Sequence, residues 1–175
     1  MESLKIILFA IVAAVFYGIL HDLVTAHLCV EYFTIGHPPV FATDSPFLLA
    51  LGWGVIATWW VGLTLGILLA MAARVGRAPK LGLNDVRAGI VRLMLASAAG
   101  AAIGGIVGML LAMQDAIWLI GEIADRVPAD RHVAFLAVGF AHSVSYAIGG
   151  LGGVVLCVWT WRKRQRATAT RPLAG

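Results

Sequence analysis

Long apolar runs separated by short polar stretches dominate this chain, and the first polar residues to interrupt them are His21 and Asp22. A helix rises 1.5 Å per residue, so crossing a bilayer core of about 30 Å takes about 20 residues. Three later apolar blocks meet that length, and the first does so only if its helix continues through His21 and Asp22. The pattern predicts an all-α, integral-membrane four-helix transmembrane bundle in one domain, with helices over about 4–33, 46–73, 85–114 and 130–161. Over 115–127 the string DAIWLIGEIADRV alternates apolar and acidic residues, which reads as an interfacial segment ending at a break near Pro128. Ser45 and Pro46 suit the N-cap and first position of the second helix, and Asn84 or Asp85 can cap the third. Residues 162–175 are expected to form a basic tail whose last part, ATATRPLAG, is unstructured.

Composition agrees with that reading. The 175 residues are 61% hydrophobic and 13% charged, whereas roughly a quarter of residues are charged in a soluble domain. The charges are also sorted. Lys5, then Arg74, Arg77, Lys80, Arg87 and Arg92, then Arg162, Lys163, Arg164, Arg166 and Arg171 fall on one side of the expected bundle. The opposite connections hold Arg126 and Arg131 against Asp22, Glu31, Asp44, Asp115, Glu122, Asp125 and Asp130. By the positive-inside rule both termini are cytoplasmic and His21 lies toward the outer face. The net charge of +4 then reflects topology, and no nucleic-acid partner is expected. The WRKRQR stretch is a stop-transfer flank that can touch anionic lipid. Ten arginines against three lysines suggest a bacterial chain, hence a multi-pass protein of the inner (cytoplasmic) membrane. Lys5 before an apolar run resembles a signal sequence, but Ala13-Ala14 followed by Val-Phe-Tyr makes a poor cleavage site, so the first helix is read as retained.

Small residues recur every fourth position. Ala96, Gly100, Gly104, Gly108 and Ala112 mark one face of the third helix, and Ala141, Ser145, Gly149 and Gly153 mark one face of the fourth. Such stripes let backbones approach closely and serve helix packing, within the chain or against a homo-oligomer or larger membrane complex.

Candidate chemistry lies on the same faces. At about 100° per residue, Thr25, Cys29 and Asp22 fall within roughly 100° of His21, close to the Ala14 and Gly18 face. Tyr32 joins that arc if the helix runs so far. His142 aligns with Gly149, Gly153 and Tyr146, and Asp115 aligns with Gly104 and Gly108. Rises of about 24, 30 and 34 Å from the flanking basic residues bring His21, His142 and Asp115 to similar depth. Ionisable groups in a membrane are costly and mark function by default. Histidines with carboxylates suit zinc, iron, manganese or copper, and helical bundles hold metals between facing helices. His21, Asp22, Asp115 and His142 are therefore candidate ligands, with Thr25, Cys29, Glu31, His37 and Tyr146 as possible supports around them.

Each has a plainer reading. His142 with Asp115 can be a hydrogen-bonded register pair, and His21 with Asp22 an interfacial helix end. His27 with Glu31 can be a solvated pair, Cys29 a packing residue and His37 a loop residue. Glu122, Asp125, Asp130 and His132 read as a solvated rim. Cys29 and Cys157 belong to opposite ends of the bundle, too far apart for a disulfide.

The stretch HDLVTAHLCVEYFTIGHPP resembles a motif of the form HDxxTAxxCxEYFTxGHP found in uncharacterised bacterial multi-span membrane proteins. The matching positions are His21, Asp22, Thr25, Ala26, Cys29, Glu31 to Thr34, Gly36, His37 and Pro38. The resemblance implies no activity, but it groups Glu31 and His37 with the helix residues. Three functions compete: a metal-binding membrane protein with its site at the outer helix ends, a non-enzymatic accessory or structural subunit, and a b-type haem or quinone protein using His21 and His142. The haem reading is weakened by the lack of a second histidine pair toward the inner side. No nucleophile elbow, phosphate loop, dinucleotide fingerprint or zincin helix is present, so whether the chain is an enzyme stays open.

Overall fold

The computed structural model describes residues 1–169 and is 80% helical, with no strand among the described residues. Four helices, Glu2–Leu28, Pro46–Arg74, Leu83–Met113 and Ala129–Ala167, are long and apolar enough to cross a membrane. The elements are α1 (Glu2–Leu28), the single turn α2 (Glu31–Thr34), α3 (Pro46–Ile56), α4 (Trp59–Arg74), α5 (Leu83–Met113), α6 (Gly121–Arg126), a 3-10 turn at Ala129–Arg131, and α7 (His132–Ala169). Of the tail expected over 162–175, the part up to Ala169 continues α7, while Arg171 and the rest of 170–175 lie outside the described residues.

Local chemistry sets the helix ends. The first helix stops at Leu28, short of 33, because Cys29 adopts extended backbone (φ −153°, ψ 92°) and the chain turns into α2. The second span is broken at Ala57–Thr58. There the Thr58 hydroxyl donates to the Gly54 carbonyl, and the Thr58 N–H turns to Val55 O at 3.3 Å. A hydroxyl inserted into the i→i−4 ladder is a recognised source of kinks. Gly18 of α1 lies against this kink, so near Gly54 and Thr58 that a Cβ has no room.

The third span begins at Leu83, so Asn84 and Asp85 sit inside its first turn and neither is the cap residue. Asp85 still serves the helix start, since its carboxylate accepts the Gly82 N–H at 2.8 Å. Glu2, from the start of α1, accepts the Leu83 N–H at 3.1 Å. Ser45 holds the N-cap position before Pro46 without a side-chain capping bond.

α1 packs against α3 and α4, and α5 against α7. At the terminal end, which holds the start of α1 and the last described turns of α7, Ile6, Ala10, Leu69, Ala70, Ala73, Val86 and Ile90 form a shared core of α1, α4 and α5. Gly100, Gly104 and Gly108 admit Phe140, Val144 and Ile148 of α7 to close range. The small residues of α7 divide between neighbours: Ala141 and Gly149 approach Gly105 and Ser97 of α5, Gly153 meets Leu65 of α4, and the Ser145 hydroxyl is hydrogen-bonded to Tyr17 Oη of α1 at 2.6 Å.

The same end holds a buried cation. Arg164 is 1% exposed, and its guanidinium donates to the carbonyls of Pro79 (2.7 Å), Ala72 (2.8 Å), Ala78 (2.9 Å) and Val75 (3.0 Å). The last carbonyls of a helix have no partner within it. Arg164 supplies partners at the end of α4 and ties the 75–82 connection to α7.

Candidate metal centre

The opposite end of the bundle gathers histidines. Because i and i+4 share a helix face, α1 presents Tyr17, His21 and Thr25 together, and Asp22 lies one step round. α7 presents His142 one turn before Tyr146. The His21 and His142 rings meet edge-to-face at 4.4 Å between centroids. Asp22 Oδ1 lies 3.9 Å from His142 Nε2, too long for a hydrogen bond. Ligand atoms of His21, Asp22 and His142 all lie within 4.8 Å of one another, close enough to hold a metal ion. A tetrahedral ion with bonds near 2 Å spaces its ligand atoms about 3.3 Å apart, so binding requires the group to contract by up to about 1.5 Å.

The environment is dry. Asp22 is 5% and His142 2% exposed. Thr25, also buried, donates its hydroxyl to the His21 carbonyl at 3.0 Å and stands 3.2 Å from His142 Nε2. His142 Nδ1 is 3.1 Å from the Tyr146 hydroxyl. With Thr25 donating to His21, the metal-free bonds are met by His142 Nε2–H donating to Thr25 Oγ1 and Nδ1 accepting from Tyr146; ligation through Nε2 requires the other tautomer, with the Nδ1 proton donated to Tyr146. His21 Nε2 is buried with no hydrogen-bond partner. Among the described residues two other buried side-chain atoms share that status. Ser97 Oγ lies in the α5–α7 contact, and Arg131 Nε sits 3.1 Å from Glu31 without hydrogen-bond geometry.

Aromatic rings wall the site. Tyr17 stacks on His21 at 5.8 Å, and Tyr32 stacks on His142 at 4.8 Å. The 35–40 loop folds back so that His37 stacks on Phe33 at 5.6 Å and meets Trp53 at 4.7 Å. His37 Nδ1 is bonded to the Tyr32 carbonyl at 2.8 Å. His37 is thus a lid over the aromatic wall and stands outside the three-residue group.

Several expected members belong elsewhere. Asp115 is exposed and is not part of the group. The third helix ends at Met113, and Asp115 takes φ 53°. Its N–H bonds Ala112 O (3.2 Å) and the Ala116 N–H bonds Leu111 O (3.0 Å), the paired bonds of a Schellman stop. The facing computed for it on a continued helix therefore does not apply, and no His142–Asp115 pair forms.

Cys29 and Glu31 form a separate network. The Cys29 thiol donates to Glu31 Oε2 at 3.3 Å, Arg131 pairs with the same oxygen at 3.1 Å, and Arg131 Nη2 donates to Leu28 O at 2.9 Å. Burial pushes the Cys29 thiol up to about 11. Burial also raises Glu31, but its own N–H, Cys29 and Arg131 outweigh that and hold it below the usual carboxylate range. His27 does not pair with Glu31; it is exposed, with Nδ1 on Leu23 O at 2.6 Å. Of the rim residues, Glu122, Asp125 and Asp130 are exposed, while His132 is half-buried on Val127 O at 3.0 Å.

Tyr17 and Trp53 were not among the residues singled out in the sequence, and Phe33 was named there only as a motif position. Only Tyr17 carried a signal, one turn before His21 on the same face.

No family model, no curated protein and no solved structure matches this chain.

Proposed function

We propose that the chain is a multi-pass membrane protein, with both termini cytoplasmic, that binds one transition-metal ion through His21, Asp22 and His142 near the outer face. The observation that carries this reading is the buried His21 Nε2, which has no partner inside a group otherwise complete enough to hold an ion. A buried polar atom without a hydrogen bond costs free energy of the order of 1–3 kcal/mol, and an ion in this position removes that cost. Two imidazoles and one carboxylate match three-ligand zinc sites, which keep a fourth position for water or substrate. Iron, manganese and copper use the same donors.

Charge sorting supports the topology. An edge-to-face contact at 4.4 Å between the two rings leaves no slot for a porphyrin plane between them, which weighs against bis-histidine haem. Elemental analysis of protein purified in mild detergent tests the proposal. The expected result is about one metal per chain, lost in His21→Ala and His142→Ala. A metal-free wild type, after attempted loading with each of the four ions, overturns it. Reporter fusions at residues 40 and 169 test the orientation, and a cytoplasmic signal at residue 40 reverses it.

A further inference from the structure

Beside the site runs a groove of about 1110 Å³ between α1 and α5, floored by α7, larger than the roughly 300–1,000 Å³ of ordinary ligand pockets. α1 and α5 meet through Ile6, Ala10, Val86 and Ile90 near the terminal end, and the groove opens beyond that contact. Its rims are bulky and largely uncovered: Val12, Phe16 and Leu20 are 65%, 64% and 47% exposed, and Leu95 and Ile106 are 65% and 54%. Its α7 floor is shallow-chained at Ala137 and Ala141, and Ala98 and Ala102 keep the α5 side low. Polar side chains enter it at few places: Tyr17, His21 and Thr25 follow one another along a single face of α1 over about 12 Å, and Asp130 stands at the mouth beyond Thr25, on the side away from the Phe9 end. Of the three candidate ligands only His21 lines the groove, and its Nε2 is the buried atom without a partner.

We infer that this groove takes a single-chain lipid amphiphile with an anionic oxygen head, its tail lying along α1 from His21 toward Phe9 and its head at the metal. The inference rests on the metal reading above. The run from Phe9 to His21 is about 18 Å along the helix axis, long enough for an extended acyl tail. Two neutral imidazoles and one carboxylate leave a divalent ion with one net positive charge, which an anionic head neutralises in a dry site. A groove with bulky rims over an alanine floor suits a flexible chain, and the apolar lining gives a lipid-soluble ligand entry from the side.

The test uses full-length protein in phosphatidylcholine nanodiscs with hexadecanoic acid carrying a photoreactive diazirine, placed near the carboxyl in one probe and near the methyl end in another. Mass spectrometry of the irradiated protein should place the head-proximal label at Tyr17, Leu20 or Thr25 and the tail label at Phe9, Val12 or Met94. Unlabelled hexadecanoic acid should suppress both, and Ala98→Phe should lose both. Labels spread equally over groove residues and over Leu151 and Val155, exposed on α7 outside the groove, overturn the inference. Chain-to-chain crosslinks through the groove residues, with the probe excluded, also overturn it and give the groove to a second copy. Metal content of the same samples separates the two readings. Uniform labelling with metal present rejects the groove assignment alone, whereas groove labelling without metal supports the lipid tail and rejects the metal.

Discussion

The two ends of the bundle each bury polar groups, and they treat them in opposite ways. At the terminal end Arg164 places its guanidinium on four backbone carbonyls at 2.7–3.0 Å. A planar fork with five donors suits such a cluster, and the charge is buried with its hydrogen bonds made. At the other end Asp22 is also buried, yet its carboxylate lies 3.9 Å from His142 Nε2, too far for a hydrogen bond, and His21 Nε2 has no hydrogen-bond partner. Burial alone therefore does not separate a structural polar group from a functional one. Satisfaction together with grouping does: Arg164, with its bonds made, holds the fold, whereas His21 Nε2 is left open among other ligand-type side chains, unlike the isolated Ser97 Oγ.

Removing Arg164 should have the largest effect. Arg164→Ala leaves four carbonyls without their donor and opens the contact between α7 and the 75–82 connection, at a cost of at least about 3 kcal/mol. Thermal unfolding in detergent measures this. Arg164→Lys keeps the charge but offers a single ammonium, so it should recover only part of the loss. An alanine variant as stable as wild type would remove the structural half of the contrast.

The opposite sign is expected at the other end. In metal-free protein, Asp22→Asn removes a buried carboxylate with no compensating donor and should raise stability by about 1 kcal/mol. The same change should abolish metal binding. Measured side by side, loss of stability at Asp22 comparable to that at Arg164 would place both residues in one class and erase the distinction.

Much of this could be read along the chain, up to the point where a helix ends. The apolar runs mark the four long helices, and 100° steps put His21 and His142 on inward faces because both lie well inside their helices. The same arithmetic fails for Asp115, which is itself the left-handed residue of a Schellman stop, and for Tyr32, which follows the extended residue Cys29. Tyr32 nevertheless reaches His142, by way of the α2 turn and not by the helix face. Arg164 reads as one more basic residue in a flank, because its partners lie 85–92 positions earlier and appear only when the 75–82 connection packs against α7. His37 is similar: the motif resemblance groups it with the helix residues, but only the folded loop shows it stacked on Phe33.

The smallest predicted effect belongs to the network between the two classes, Cys29, Glu31 and Arg131. Unlike Arg164 it is only partly satisfied, because Arg131 Nε lacks hydrogen-bond geometry to Glu31, and it is partly open to solvent, with the Glu31 and Arg131 side chains 20% and 33% exposed. Screening at such exposure limits the pair to under about 1 kcal/mol. Glu31 is held below the usual carboxylate range in the folded state. Its contribution is therefore present above the ordinary unfolded value and is lost as pH falls through the lower native one. Wild type should exceed Glu31→Gln in unfolding temperature at pH 7, and the gap should close on acidification below the usual carboxylate range. A gap that persists unchanged to pH 3 would mean that the glutamate acts by shape and hydrogen bonding alone. Because the network joins Leu28, Cys29 and α2 to the start of α7, closing the gap should also loosen Tyr32 from His142. Metal affinity should then weaken over the same pH window in wild type and remain flat there in Glu31→Gln, beyond the proton competition that both proteins share.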